Sequence, residues 1–208
     1  ARIKKREAYM ADTKALKKQV CDMIDAMSGE LIDISHAIHA RPELAFHEHH
    51  AAKTLTGALE KNGLPVTRAA FGLETAYASA FGAGGAEVAI LSEYDALPGI
   101  GHACGHNIIA TTGLGAALAL SKLNGALPGR VRYLGTPAEE KGGGKELMAQ
   151  FGAFDGLDAA MMVHPAGINL ATMPCICISE VEVTYHGKSA HASAMPHAGI
   201  NALDALIT

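Results

Sequence analysis

The sequence predicts an α/β protein: a mainly parallel sheet flanked by helices, followed by the start of a smaller α+β domain. Three observations carry this expectation. Helical apolar spacing alternates with short apolar strands through about residue 164. Three of those strands run straight into polar clusters: Asp95 to His106, Glu139 and Glu140, and His164. Ligand sites in open α/β sheets form beyond the carboxyl ends of the strands, so separate clusters there can converge. Near residue 175 the pattern switches to alternation in "SEVEVTYHG", with Val181, Val183 and Tyr185 against Glu182, Thr184 and His186. That marks a strand with one solvated face.

Each element follows in order. Leu16, Val20, Met23, Met27, Leu31, Ile34 and Ile38 recur at three- and four-residue intervals, one face of a long helix over 13–39. Pro42 in "ARPEL" ends it, because the residue before a proline is pushed out of the helical region. A second helix is expected from His49 to Asn62, with "NG" at 62–63 as its C-cap. "PVTRAAF" and "ETAYASAF" read as strands, "GAGG" as a turn and "AEVAILS" as a strand. The loop "SEYDALPGIGHACGHN" comes next, then a helix capped by Asn107 and running to about Leu123. "PGR" turns the chain into the strand "RVRYLG", and "TPAEEKGGGKE" opens another helix. "AAMMVH" is a strand ending on His164, and a last helix starts at about Gly199. The expected organisation is a leader or disordered N-terminus over 1–12, an incomplete metal-binding catalytic domain over 13–176 and the beginning of a lid/dimerisation domain over 177–208. Met10 before "ADTK" resembles a natural start.

Composition excludes several classes of function. The chain has 208 residues, 49% of them apolar, enough to bury a sizeable core. Its formal charge is −4, and no basic run is interleaved with aromatics, which argues against nucleic acid. "IIATTGLGAALAL" is too short to span a bilayer and carries threonines, so no membrane association is expected. The N-terminus is charged and lacks the apolar segment of a signal peptide. Cys21, Cys104, Cys175 and Cys177 in such a chain suggest reduced thiols and a cytoplasmic location.

The candidate chemistry lies in the polar clusters. Cys104 and His106 flank Gly105, whose freedom lets both side chains reach one centre. Thiolate and imidazole are preferred zinc ligands. A buried thiol beside a satisfied histidine is the plainer reading of that pair alone; the other clusters shift the balance toward metal. Glu139 and Glu140 could form a solvated acidic turn or divide the labour of metal binding and proton transfer. His164 is either a core histidine or a ligand. His102 rivals His106 for the ligand role. Cys104 could instead be a thiol nucleophile with His106 as its base. "GGGK" resembles a phosphate loop, but its spacing is wrong and the two glutamates upstream would repel phosphate. Cys175 and Cys177 are expected to pack on a strand face, and the histidines at 36, 39, 47, 49 and 50 to lie mostly on the surface.

Taken in order, "ARPELAFHE", "EYDALPGIGHACGHN", "TPAEE", "MMVH" and "GKSAHASAMPHAGINALDAL" resemble the signatures of the aminoacylase/carboxypeptidase G family of metallopeptidases. The nearest branch is that of the N-acyl-amino-acid amidohydrolases, which includes auxin-conjugate, hippurate and aminobenzoyl-glutamate hydrolases. The resemblance runs from about residue 30 to the end. It implies a zinc-exopeptidase-like catalytic domain holding two divalent metal ions, usually zinc and sometimes manganese. It implies Cys104, His106, Glu140 and His164 as ligands, Glu139 as general base, and Asp95 as the acid that orients the site. It also implies a lid/dimerisation domain whose His191 reaches the substrate in the partner subunit of a homodimer. The implied activity is hydrolysis of the amide bond of N-acyl amino acids or dipeptides. Two departures touch the substrate more than the chemistry: Asn107 stands where many relatives carry Asp, and "EYDALP" replaces an acidic-Met-Asp opening. Family members are roughly twice as long and add a final histidine ligand, so the chain reads as an N-terminal portion. A catalytically incomplete metal-binding fragment, or a subunit completed by another polypeptide, is the alternative.

Overall fold

The structure is a computed structural model that describes residues 2–123, 126–174, 179 and 181–208. The chain divides into two compact units, Ala1–Gly167 and Ile168–Thr208. The first holds helices α1 (Arg2–Ala26), α2 (Ser28–His39), α3 (His49–Lys61), α4 (His106–Ser121) and α5 (Gly144–Gln150). Its sheet contains β1 (Thr67–Arg68), β2 (Tyr77–Gly82), β3 (Glu87–Ser92), β4 (Arg130–Gly135) and β5 (Ala159–Met161), in the order β1-β2-β4-β3-β5. No helix among the described residues is long and apolar enough to cross a membrane.

The sheet is mixed, which corrects the expectation of a mainly parallel one. β3 pairs in parallel with both β4 and β5, while β2 runs antiparallel to β4 and to β1. Connection length explains the difference. A short glycine turn joins β2 to β3 and can only reverse the chain. The β3–α4–β4 connection is long enough for a parallel crossover. The consequence for function is that β4, β3 and β5 end at one rim.

The expected helix over 13–39 is two helices broken at Met27, whose φ of −98° and ψ of 1° leave the helical region. Ser28 and Gly29 follow the break, and both are weak helix formers. The apolar face survives it. Leu16, Val20, Met23, Met27, Leu31 and Ile34 are all half-buried, and Ile38 is fully buried. α3 begins and ends as its sequence indicates, with Asn62 as C-cap and Gly63 left-handed at φ 77°. The start of α3 is closed by Glu43, whose carboxylate accepts the N–H groups of His50 (2.8 Å) and Ala51 (3.1 Å).

α4 lies across the sheet with Ile109, Ala110, Leu114, Ala117 and Leu118 buried beneath it. Each large aliphatic side chain so buried contributes about 1.5–3 kcal/mol. The close approach is made at Gly113, where a Cβ would overlap Ser92 Oγ and press on Tyr133 at 3.2 Å. Tyr77, Tyr94 and Tyr133 fill the sheet side of the core. Their hydroxyls are satisfied: Tyr133 donates to Ser92 Oγ at 3.0 Å and Tyr94 to the Thr75 carbonyl at 2.7 Å.

Other elements are shorter than their sequence suggests. "PVTRAAF" yields only Thr67–Arg68, because Ala69 (φ 47°) and Phe71 (φ 54°) turn left-handed and end the strand. "AAMMVH" forms a strand only through Met161, so His164 stands on the loop beyond it. Asn107 is not the cap of α4. Gly105 is, at φ 81°, and the Asn107 side chain instead donates to Ser35 Oγ at 2.9 Å.

In the second unit, described residues 181–187 carry no ladder, and Val181, Val183 and Tyr185 are exposed. The alternating strand expected there has no partner among the described residues of that unit. Lys188 pairs with Ile200 in an isolated bridge, and Asn201 caps a short helix, α6 (Ala202–Ile207), by accepting the Leu203 N–H at 3.1 Å. Cys175 and Cys177 lie outside the described residues.

Candidate metal centre

The loops leaving β3, β4 and β5 carry the polar clusters to the shared rim. Glu93 and Asp95 follow β3, Glu139 and Glu140 follow β4, and His164 follows β5. Cys104 and His106 arrive from the long β3–α4 loop. Left-handed Gly105 lets the chain turn between them, and its Cα packs so near Pro165 that a Cβ would sit 2.9 Å from that ring.

His106 is the centre of the arrangement and is fully buried. Its Nδ1 lies 3.0 Å from Asp95 Oδ1. A carboxylate at that distance fixes the proton on Nδ1 and leaves the Nε2 lone pair free. The other Asp95 oxygen, Oδ2, accepts the Glu140 backbone N–H at 2.9 Å. One carboxylate thus sets both the ring and the loop that carries the glutamates. Three carboxylate oxygens face Nε2: Glu93 Oε2 at 3.5 Å, Glu139 Oε2 at 3.6 Å and Glu140 Oε1 at 3.6 Å. Cys104 Sγ lies 3.9 Å from His164 Nε2.

These spacings suit cations. Donors held about 2.0–2.3 Å from one tetrahedral ion lie about 3.3–3.8 Å apart. Two groups, Cys104–His106–His164 and Glu93–His106–Glu139, each bring one ligand atom per residue within 4.8 Å of the others, close enough to share an ion. Glu93 Oε2, His106 Nε2 and Glu140 Oε1 are buried without a hydrogen-bond partner. An unsatisfied buried polar atom costs about 1–3 kcal/mol, more when charged, and a shared cation removes that cost for all of them. Thiol and imidazole on one side with carboxylates on the other is the donor chemistry of a centre for two divalent ions, zinc or manganese.

The surroundings tune the acids and the thiol. Burial, then the neighbouring Glu140 carboxylate, pushes the Cys104 thiol up to about 11 in the metal-free protein. Burial, then the charge of Glu93, raises Glu139 above the ordinary carboxyl range. Burial alone would lower His106, but the hydrogen bond and charge of Asp95, with Glu93 and Glu140, outweigh it and hold the imidazole up.

Several residues of this constellation carry no role in the sequence reading. Glu93 is only 2% exposed, and Lys145 Nζ ion-pairs with its Oε1. Its signal is its position two residues before Asp95, which in extended chain places both side chains on one side. Lys145 is hidden in the rejected phosphate loop. Glu48, in "ARPELAFHE", is fully buried: Oε1 accepts the N–H groups of Phe46 (3.0 Å) and Ala138 (2.8 Å), and Oε2 accepts Thr75 Oγ1 (2.8 Å). It fastens the loop bearing Glu139 and Glu140 to the start of α3.

Among the other candidates, His102 is buried beside His39, with ring centroids 6.2 Å apart, and belongs to neither donor group. His191 belongs to the second unit. There its Nδ1 accepts the Ala194 N–H at 3.1 Å and the Ser193 N–H at 3.3 Å, which places its proton on Nε2.

Comparison with known proteins agrees with this centre. The sequence profile of peptidase family M20/M25/M40 matches residues 89–208, which contain every donor named above. The Xaa-Arg dipeptidase of Mus musculus is 43% identical over 211 residues, covering 95% of this chain and 49% of its own length. A p-aminobenzoyl-glutamate hydrolase subunit of Escherichia coli (strain K12) is 37% identical over 208 residues, covering 89% of this chain and 43% of its own. A solved structure of the Bacillus subtilis YXEP protein, described as a dinuclear metal-binding peptidase of the M20 family, superposes with a TM-score of 0.61 at 28% identity. It covers 65% of this chain and 42% of its own. The chain therefore spans about half the length of the curated relatives it matches. With the profile and the donor set pointing the same way, the chain belongs to peptidase family M20/M25/M40.

Proposed function

We propose that this chain forms the metal-binding, catalytic part of an amidohydrolase that cleaves the amide bond of N-acyl amino acids or dipeptides. The observation that carries the reading is the convergence of Glu93, Glu139 and Glu140 on the free Nε2 of His106, with Cys104 and His164 adjacent. Cys104, His106, Glu140 and His164 are the ligands in this reading. Bound divalent ions would polarise the substrate carbonyl and lower the pKa of a water from about 16 to near 7. Glu139 takes the water's proton and later delivers it to the leaving amine. Its raised proton affinity and partial exposure at the rim suit that traffic. Asp95 keeps the His106 lone pair aimed at the centre, and Glu48 keeps the glutamate loop in register. His191, with its Nε2–H free to donate, would serve the developing oxyanion in the neighbouring chain of a homodimer. In that reading residues 13–176 are the catalytic domain and 177–208 begin the lid, while α1 (Arg2–Ala26) runs unbroken through the 12/13 boundary. Free thiols at Cys21 and Cys104 suit a cytoplasmic setting.

Substrates named for relatives, an Xaa-Arg dipeptide and p-aminobenzoyl-glutamate, define the panel for assay. Replacing Glu139 by Gln should leave metal content unchanged and reduce hydrolysis by at least about 100-fold. Turnover near the wild-type rate would refute the role given to Glu139.

A second reading rests on length. Because the chain corresponds to about half of each relative, it would be a metal-binding portion completed by further polypeptide. Hydrolysis by an extended protein but not by this chain alone favours that reading.

A further inference from the structure

We propose that Glu93 is itself a ligand of the metal centre, held in its binding orientation by Lys145. The inference rests on the two-ion reading above and extends its donor set. Cys104, His106, Glu140 and His164 offer donors, while Glu139 is reserved for the proton. One imidazole lone pair serves one ion at a time, so His106 Nε2 cannot satisfy both. Catalytic zinc sites use about three protein ligands each, so these four residues, even joined by the final histidine that the resemblance implies, offer fewer donors than two separately ligated ions take. Glu93 is the buried carboxylate that narrows the gap.

Its geometry is that of a ligand rather than of a simple ion-pair partner. Lys145 takes Oε1 alone. Oε2 is left buried and unpartnered, 3.5 Å from the likewise unpartnered Nε2 of His106. Glu93 is only 2% exposed, so water does not stabilise that oxygen. Lys145 reaches in from the first turn of α5 with its side chain 29% exposed. It fixes which oxygen turns toward the centre and offsets part of the negative charge gathered there by Glu93, Glu139 and Glu140.

The test measures metal rather than turnover. The full-length protein, stripped with chelator, is titrated with zinc by calorimetry and with cobalt(II) by absorption, alongside Glu93→Gln and Lys145→Met. Wild type is expected to take two equivalents. In E93Q the weaker of the two should lose at least about 10-fold in affinity, the scale at which supporting groups act on metal sites. The cobalt–thiolate absorption from Cys104 should persist, because that donor is untouched. K145M should retain both equivalents, since it removes a partner and not a ligand. Its unpaired carboxylate should also make the metal-free form less stable and the gain on adding zinc larger than in wild type. Should E93Q fail to fold, Glu93→Asp keeps the charge, draws the carboxylate back by one methylene and carries the same expectation. E93Q binding two equivalents with wild-type affinity overturns the proposal, as does K145M losing affinity to the same extent as E93Q. A wild type that binds fewer than two equivalents overturns the two-ion reading, and the proposal with it.

Discussion

The carboxylate of Glu48 accepts the backbone N–H of Ala138 at 2.8 Å, joining residues 90 positions apart in the chain. Ala138 is left-handed, with φ 58°, a conformation that costs a non-glycine residue about 1–2 kcal/mol. The hydrogen bond holds it there, so the glutamates that follow point at the rim. Replacing Glu48 by Ala orphans the Phe46 and Ala138 N–H groups and the Thr75 hydroxyl. The expected loss of stability is about 2–4 kcal/mol in urea unfolding, accompanied by weaker metal binding.

Glu48 also predicts a pH dependence. Burial raises its proton affinity above the ordinary carboxyl value of 4.5, and its hydrogen bonds offset only part of that rise. The folded protein therefore holds this proton more tightly than the unfolded chain. The contribution to stability is full below the ordinary value and is lost as pH rises through the folded one. Wild-type stability relative to Glu48→Gln should accordingly fall with rising pH in the window just above 4.5. Unfolding curves taken from about pH 4 to 8 measure it.

Asp95→Asn should preserve the shape around His106 but release the imidazole tautomer, because an amide can donate to Nδ1 as readily as accept from it. Zinc affinity is expected to drop about 10–100-fold with little change in the melting temperature of the metal-free protein. Equal affinity in both proteins would show that the 3.0 Å contact is not what aims His106.

Cys104 separates metal chemistry from thiol chemistry. A nucleophilic cysteine is activated by a lowered pKa, whereas burial and Glu140 push this one up to about 11. In chelator-treated protein its alkylation by iodoacetamide should be slow at neutral pH and climb toward that value. Added zinc should suppress it throughout. Rapid alkylation of the metal-free protein at neutral pH, with hydrolysis that survives chelator, would support a thiol hydrolase instead.

Two glycines should respond in opposite directions. A methyl group added at Gly57 in α3 would meet no atom within 4 Å, so Gly57→Ala should stabilise by about 0.5–1 kcal/mol through helix propensity. Gly113→Ala would drive its methyl into Ser92 Oγ and toward the Leu91 carbonyl at 3.3 Å. That overlap should outweigh the propensity gain and destabilise by about 1–3 kcal/mol. Thermal melts of the two variants compare them directly.

Legibility from residues alone depends on range. The apolar face from Leu16 to Ile38 follows from local periodicity and outlasts the break at Met27. The Cys104–Gly105–His106 turn is local too. The direction of β2 is implicit in its short glycine link to β3, yet the alternation of helices with apolar strands points to a mainly parallel sheet. Glu48 and Lys145 cannot be read that way, because their partners, Ala138 and Glu93, are remote in sequence. A carboxylate in a helix-entry loop and a lysine after three glycines have no meaning until the sheet brings those loops together.

That dependence on the sheet fixes an order of events during biogenesis. Apart from the Cys104–His106 pair, the donors come from separate strand ends, so the extended polypeptide offers at most a two-donor chelate. The full donor set exists only once β4, β3 and β5 are side by side. Zinc here would act as a late fastener on an already formed scaffold, unlike a finger domain that cannot fold without it. Newly made protein would accordingly pass through a folded, empty-handed stage in which competition among cellular metals decides what it finally carries.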